Sequence, residues 1–274
     1  MVLYQLVLNA WDYYSVYRVV MQLEDIQIVD FEDMNLESGA VIAGFPSIGL
    51  VSTIVANYMI DALGLKQIGA MDSAYFPTLS VVHTGEPLSP VRIYGGTLNN
   101  GQKLAVFVSE FKPKANLINS LSDAIMVWSK KKGCKLLISP EGMVVEGKSS
   151  ETEMIVDAYA IGSTENARAT LTAKNIPQFK NGIIAGVSGV LLNKGKHEKF
   201  DVISILAEAH PNYPDARAAA SAINVIASVI GIEIPVGPLY DEAERIEKQL
   251  QKFHKQAKPI VSGVSQIPQP EMYG

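Results

Sequence analysis

The sequence predicts an α/β fold, a three-layer α/β/α sandwich around a mainly parallel or mixed sheet. Two observations carry that expectation. Short apolar runs of strand length alternate with stretches of helix length along most of the chain, the pattern of strands whose crossover helices cover both faces of a sheet. A length of 274 residues, 48% of them hydrophobic, supplies a core large enough to stand without metal or disulfide.

Taken in order, residues 1–20 (MVLYQLVLNAWDYYSVYRVV) read as an N-terminal extension. They are either the product of an upstream start codon, with Met21 opening the conventional sequence, or an ordinary N-terminal strand and turn. The α/β domain is expected over 21–236. GAVIAGF (39–45) is an apolar strand, and SIGLVSTIVANYMIDALG (47–64) follows with helix length and a glycine stop. KQIGAMD (66–72) and LSVVHT (79–84) read as strands. VRIYGGTL and KLAVFVSE flank Asn99-Asn100-Gly101, a hairpin signal because that turn needs positive φ. A helix at 115–132, a buried strand KLLIS (135–139), a strand near 154–162 and a helix near 164–174 come next. An apolar stretch at 183–192, a strand DVISILAE (201–208) and a helix at 214–231 complete the domain. In that last helix Pro214 suits the first turn, Asp215 complements the positive end of the dipole and Gly231 marks the stop. Its alanines, Ala218, Ala219, Ala220 and Ala222, leave little bulk, so the helix is expected to lie close on its neighbours.

Composition excludes several function classes. A net charge of -5 with 23 scattered Lys and Arg offers no concentrated basic surface for phosphate, so no nucleic-acid partner is expected. No apolar stretch reaches the roughly 18 residues a membrane span needs, and Asp12 and Arg18 interrupt the N-terminal run. Cys134 is the single cysteine, which forbids an intrachain disulfide and favours a reducing compartment, hence the cytoplasm. No metal or cofactor is expected.

Two loops invite a catalytic interpretation. Gly44-Phe45-Pro46-Ser47-Ile48-Gly49-Leu50 joins the first core strand to its helix, where backbone amides could approach an anion; it lacks the GxGxxG spacing and a P-loop lysine. Ser47 as an N-cap, with Gly44 and Gly49 allowing a tight turn and close packing, is the simpler account. Gly186-Val187-Ser188-Gly189-Val190 resembles a nucleophile elbow, but the second glycine falls one residue early. The histidines His83, His197, His210 and His254 show no triad pattern, and His210 is expected to cap the end of the preceding strand. Glu110, Glu141, Glu146 and Glu208 follow apolar strands, where parallel-sheet sites gather. They and the Gly44–Gly49 loop would serve an alternative function, a nucleosidase-like or phosphorylase-like enzyme.

Beyond the domain, Leu239, Ala243, Ile246, Leu250, Phe253 and Ala257 recur at spacings of four and three, an a/d seam on an amphipathic helix over 237–257. Fewer than three heptads leave it open to a subunit contact or to packing on its own domain. Residues 258–274 carry prolines and no periodicity, and form a tether able to reach up to about 55 Å when extended. It ends in Met272-Tyr273-Gly274.

GAVIAGFPSIGLVSTIVANYMID, the region around VRIYGG, GIIAGVSGVLLN and AEAHPNYPDARAAASAINVI together resemble the archaeal branch of the proteasome assembly chaperone family, over roughly residues 22–235. The resemblance implies a core similar to nucleoside phosphorylases, a homo-oligomer, and ATP-independent binding to the α-subunits of the core proteasome. It also implies a role for the terminus. Archaeal relatives and proteasome-activating ATPases use a C-terminal hydrophobic-tyrosine-any residue motif, which Met272-Tyr273-Gly274 matches. The terminal carboxylate can pair with a lysine between α-subunits, Tyr273 brings a ring with a polar tip, and Met272 adds adaptable apolar contact. The resemblance thus implies a non-enzymatic chaperone or activator-like binding protein.

Overall fold

The computed structural model describes residues 19–23, 25–144 and 158–245. Among the described residues, strands and helices alternate much as the periodicity demands. The chain opens with β1 (Val19–Leu23) and β2 (Ile26–Asp30), then runs through β3 (Ala40–Gly44), α1 (Val51–Ala62) and β4 (Lys66–Asp72). Next come β5 (Val81–His83), β6 (Glu86–Leu88), β7 (Val91–Thr97), β8 (Lys103–Ser109) and α2 (Ile118–Lys131). The second half holds β9 (Leu136–Met143), β10 (Ala158–Gly162), α3 (Glu165–Ala173), α4 (Gly186–Glu198), β11 (Asp201–Glu208) and α5 (Ala216–Ile230).

Nine strands form one sheet in the order β1-β2-β4-β7-β8-β3-β9-β11-β10, and β5 pairs with β6 in a small exposed ribbon. The sheet is mixed, one of the two forms expected. Only β8/β3, β3/β9 and β9/β11 pair in parallel, while β1, β2, β4 and β7 add an antiparallel arm and β10 an antiparallel edge. The reason is local. β7 turns directly into β8 at Asn99-Asn100-Gly101, where Gly101 adopts φ 83° and the Leu98 and Gln102 backbones close the turn; a tight hairpin can only join antiparallel strands.

Helices cover both faces. On one face α1, α3 and α5 bury Val55, Met59, Leu171, Ile223 and Ile226 against the sheet. On the other, α2 and α4 bury Leu121, Ile125, Trp128 and Leu191. Trp128 anchors that face: its ring meets Phe107 edge-on at 5.1 Å, and its indole N–H donates to Asp30 Oδ1 at 2.8 Å. α5 begins at Asp215, whose carboxylate accepts from the Ala218 N–H at 2.9 Å, and stops at Gly231 in the left-handed region. Its alanine face is buried. The apolar stretch 183–192 is mostly the first turns of α4.

Residues 237–245 are helical, and Leu239 and Ala243 are buried in the chain's own core. The first two seam positions therefore face the domain. Ile246, Leu250, Phe253 and Ala257 lie outside the described residues, as do Glu146, His254 and Met272-Tyr273-Gly274. β1 begins at Val19, so two residues of the 1–20 segment are in the sheet. Among the described residues no helix is long and apolar enough to cross a membrane.

Candidate functional site

The parallel centre of the sheet creates a crevice. The connection from β3 leads to α1 on one face and that from β8 to α2 on the other, so a topological switch point lies at the carboxyl ends of these strands, where open α/β sheets place ligands. β3 and β9 pair only as far as Ile42 and Ile138, although each continues beside its other neighbour. Past that point the two strands separate. Pro140, without an N–H, suits a stretch of β9 with no β3 partner.

A cleft of about 590 Å³ occupies this position. Its walls are the loop after β3 (Phe45 to Ile48), the loop after β8 (Lys112, Pro113 and Ala115) and the start of α4 (Ala185 to Ser188). Alternation along β9 sends Leu137, Ser139 and Glu141 to one face. Ser139 Oγ and Ser188 Oγ lie 2.7 Å apart, and Ser188 Oγ donates to Glu141 Oε2 at 2.8 Å. Burial pushes the Glu141 carboxyl up to about 7, against the opposing pull of the Ser188 hydroxyl and of Lys112.

The glycine loop packs closely, but Ser47 does not cap α1 as expected: the N-cap position is Leu50 at φ 51°, a short 3-10 turn (Ile48–Leu50) intervenes, and Ser47 makes no side-chain cap to it. Ser47 Oγ accepts from the Ser52 N–H at 3.1 Å and from the Gly142 N–H at 3.4 Å. Gly49 takes φ 60° against the backbone of His210, and its carbonyl accepts from the Asp215 N–H at 2.8 Å.

The other sequence candidates scatter. Ser188 stands in the first turn of α4 and is buried, not exposed on a strand-to-helix elbow. Glu110 is bound to Arg92. Glu208, at the end of β11, does not line the cleft. His83 and His197 are exposed. His210 stacks on Tyr213 at 4.0 Å and its backbone N–H donates to Asp215; none of these three histidines lines the cleft. Among the described residues no group of three or more His, Cys, Asp or Glu is placed to hold a metal. Sequence reasoning missed Ser139 and Lys112. Ser139 was signalled by a polar residue two before Glu141 in an otherwise apolar strand, Lys112 only by proximity to the start of a helix.

Residues 41–254 match the PAC2 family. The chain belongs to the PAC2 family. An uncharacterized protein of Methanocaldococcus jannaschii is 29% identical over 245 residues, spanning 88% of this chain and 95% of the relative. Pyrococcus furiosus PbaA, described as an archaeal homolog of proteasome-assembly chaperone, superposes with a TM-score of 0.76 at 29% identity, over 88% of this chain and 96% of its own. Pyrococcus furiosus PbaB, described as an archaeal proteasome activator, shares the fold with a TM-score of 0.74 at 20% identity, over 85% of this chain and all of its own. The PAC2 match runs past the described part of the C-terminal helix and stops short of the tail.

Proposed function

We propose that this protein is a proteasome assembly chaperone or activator-like partner that binds the α-ring of the core proteasome without ATP, in the cytoplasm, and that it is not an enzyme. The observation that carries the reading is the likeness to PbaA across nearly the whole length of both chains. Met272-Tyr273-Gly274 supplies a docking element with suitable chemistry: a free carboxylate, an aromatic ring with a polar tip and a pliable apolar side chain. Tails on a homo-oligomer would act together, so a weak single contact would suffice through effective concentration. The remaining seam residues, Ile246, Leu250, Phe253 and Ala257, are the proposed subunit contact. The buried setting of Ser188 and the absence of a histidine partner among the described cleft residues favour binding over turnover.

Capture of purified α-ring by the chain tests this reading, with three comparators: a chain lacking the last three residues, one with a short tag after Gly274, and Tyr273→Ala. Truncation and tagging are expected to weaken capture equally, because both remove the terminal carboxylate from its place. Tyr273→Ala is expected to cost on the order of 2 kcal/mol per tail. Undiminished capture by the tagged and truncated chains would show that the tail is incidental. Leu250→Asp is expected to shift the protein to smaller species in light scattering, and a folded variant of unchanged mass would return the seam to an intrachain role.

A further inference from the structure

The cleft at the switch point has a composition that the proposed docking role leaves unused. Among the described residues that line it only two side chains ionise, Glu141 and Lys112, and they are of opposite sign. The others are apolar, hydroxyl-bearing or glycine. Lys112 is near enough to lower the Glu141 pKa by its charge, without a hydrogen bond between the two. Ser188 spends its hydroxyl proton on Glu141 Oε2 and accepts from Ser139, which fixes the carboxyl group. Apolar surface meets water at the rim, where Ile183 is 95% exposed and Val144 44%. The volume falls within the range of small-molecule sites.

A ligand with one charge would satisfy one of these groups and meet the other as repulsion. A cation suits Glu141 but faces Lys112, and an anion suits Lys112 but faces Glu141. A dipolar ligand complements both, and an apolar body would cover the hydrophobic walls. We propose that the cleft binds a small zwitterion of the free α-amino acid class with an apolar side chain: its ammonium on Glu141, its carboxylate toward Lys112 and its side chain against Phe45, Ile118 and Val187. These three are all lining residues, and the Ser139–Ser188 pair positions the carboxyl that receives the ammonium.

Calorimetric titration of the full chain with three probes tests the assignment. L-Leucine carries both charges, 3-methylbutylamine lacks the carboxylate, and 4-methylpentanoate lacks the ammonium. Leucine is expected to bind most tightly, with each single-charge probe weaker by about tenfold or more, the usual scale of one charge-assisted hydrogen bond. Leucine affinity should rise with pH through about 7 as Glu141 ionises, and Glu141→Gln should lower it by about tenfold or more and remove that pH dependence. Lys112→Met, at an exposed position, should erase the preference for leucine over the amine even if the Glu141 variant fails to fold. No binding of any probe, equal binding of the acid and leucine, or leucine affinity unchanged in both variants would overturn the assignment.

Discussion

Glu110 and Glu141 stand at the same edge of the sheet, each at the end of an apolar strand, and the structure treats them in opposite ways. Glu110 follows β8 and meets the Arg92 guanidinium at 2.5 Å, with Arg92 itself only 4% exposed. Glu141 ends the apolar run of β9 and has a serine hydroxyl in place of a cation, so burial lifts its pKa to about 7. The first carboxylate neutralises a charge that the fold has already buried. The second is held partly desolvated over an open cleft, a cost without structural return of its own, and that imbalance is the mark of a group kept for a ligand.

The comparison breaks hardest at the first pair. Glu110→Ala leaves the buried Arg92 with the Ser89 carbonyl as its remaining partner among the described residues, and a buried charge without its counter-ion is costly. A loss of about 3 kcal/mol in urea unfolding is expected, and a loss under about 1 kcal/mol would show that water reaches Arg92 freely.

Glu141→Gln should behave differently. Because the folded state raises this pKa above the ordinary 4.5, the protonated carboxyl is favoured on folding. Its contribution is fully present below pH 4.5 and is lost as pH rises through about 7. The glutamine carries no such loss. Relative to the parent, the variant should gain on the order of 2 kcal/mol between pH 5 and pH 8, read from unfolding curves at both values. A gap that does not change with pH would place Glu141 in water.

Gly142→Ala sharpens the geometry of the cleft itself. A Cβ at Gly142 would overlap the Ile48 carbonyl, so the loop after β3 must move outward; a cost of about 1–2 kcal/mol is expected, with chemical-shift changes in Phe45 and Ile48. Unperturbed shifts would mean that the wall is already mobile.

The smallest effect belongs to Ser188→Ala. Loss of the hydroxyl removes a hydrogen bond to the carboxylate and should raise the Glu141 pKa further, at a stability cost of about 1 kcal/mol that is larger at pH 8 than at pH 5. Direct titration of Glu141 by NMR checks the direction, and an unchanged midpoint would remove Ser188 from its environment.

Where local rules suffice, the sequence specified this protein closely. The strands at 66–72 and 201–208 end where their apolar runs end, because alternation and turn residues act within a few positions. α5 starts at Asp215 and stops at Gly231 because a cap and a left-handed residue need only their immediate neighbours. The family, too, was legible in motifs that lie within single elements and loops. Tertiary structure decided the rest. Strand order and direction depend on which distant segments pair, so the sequence left open a mainly parallel or a mixed sheet. Glu110 and Glu141 read alike because a carboxylate's role depends on what the fold brings beside it: Arg92 from β7 in one case, Ser188 from 47 residues away in the other. A pKa is set by burial and by neighbours in space, and neither is written within reach of one residue along the chain.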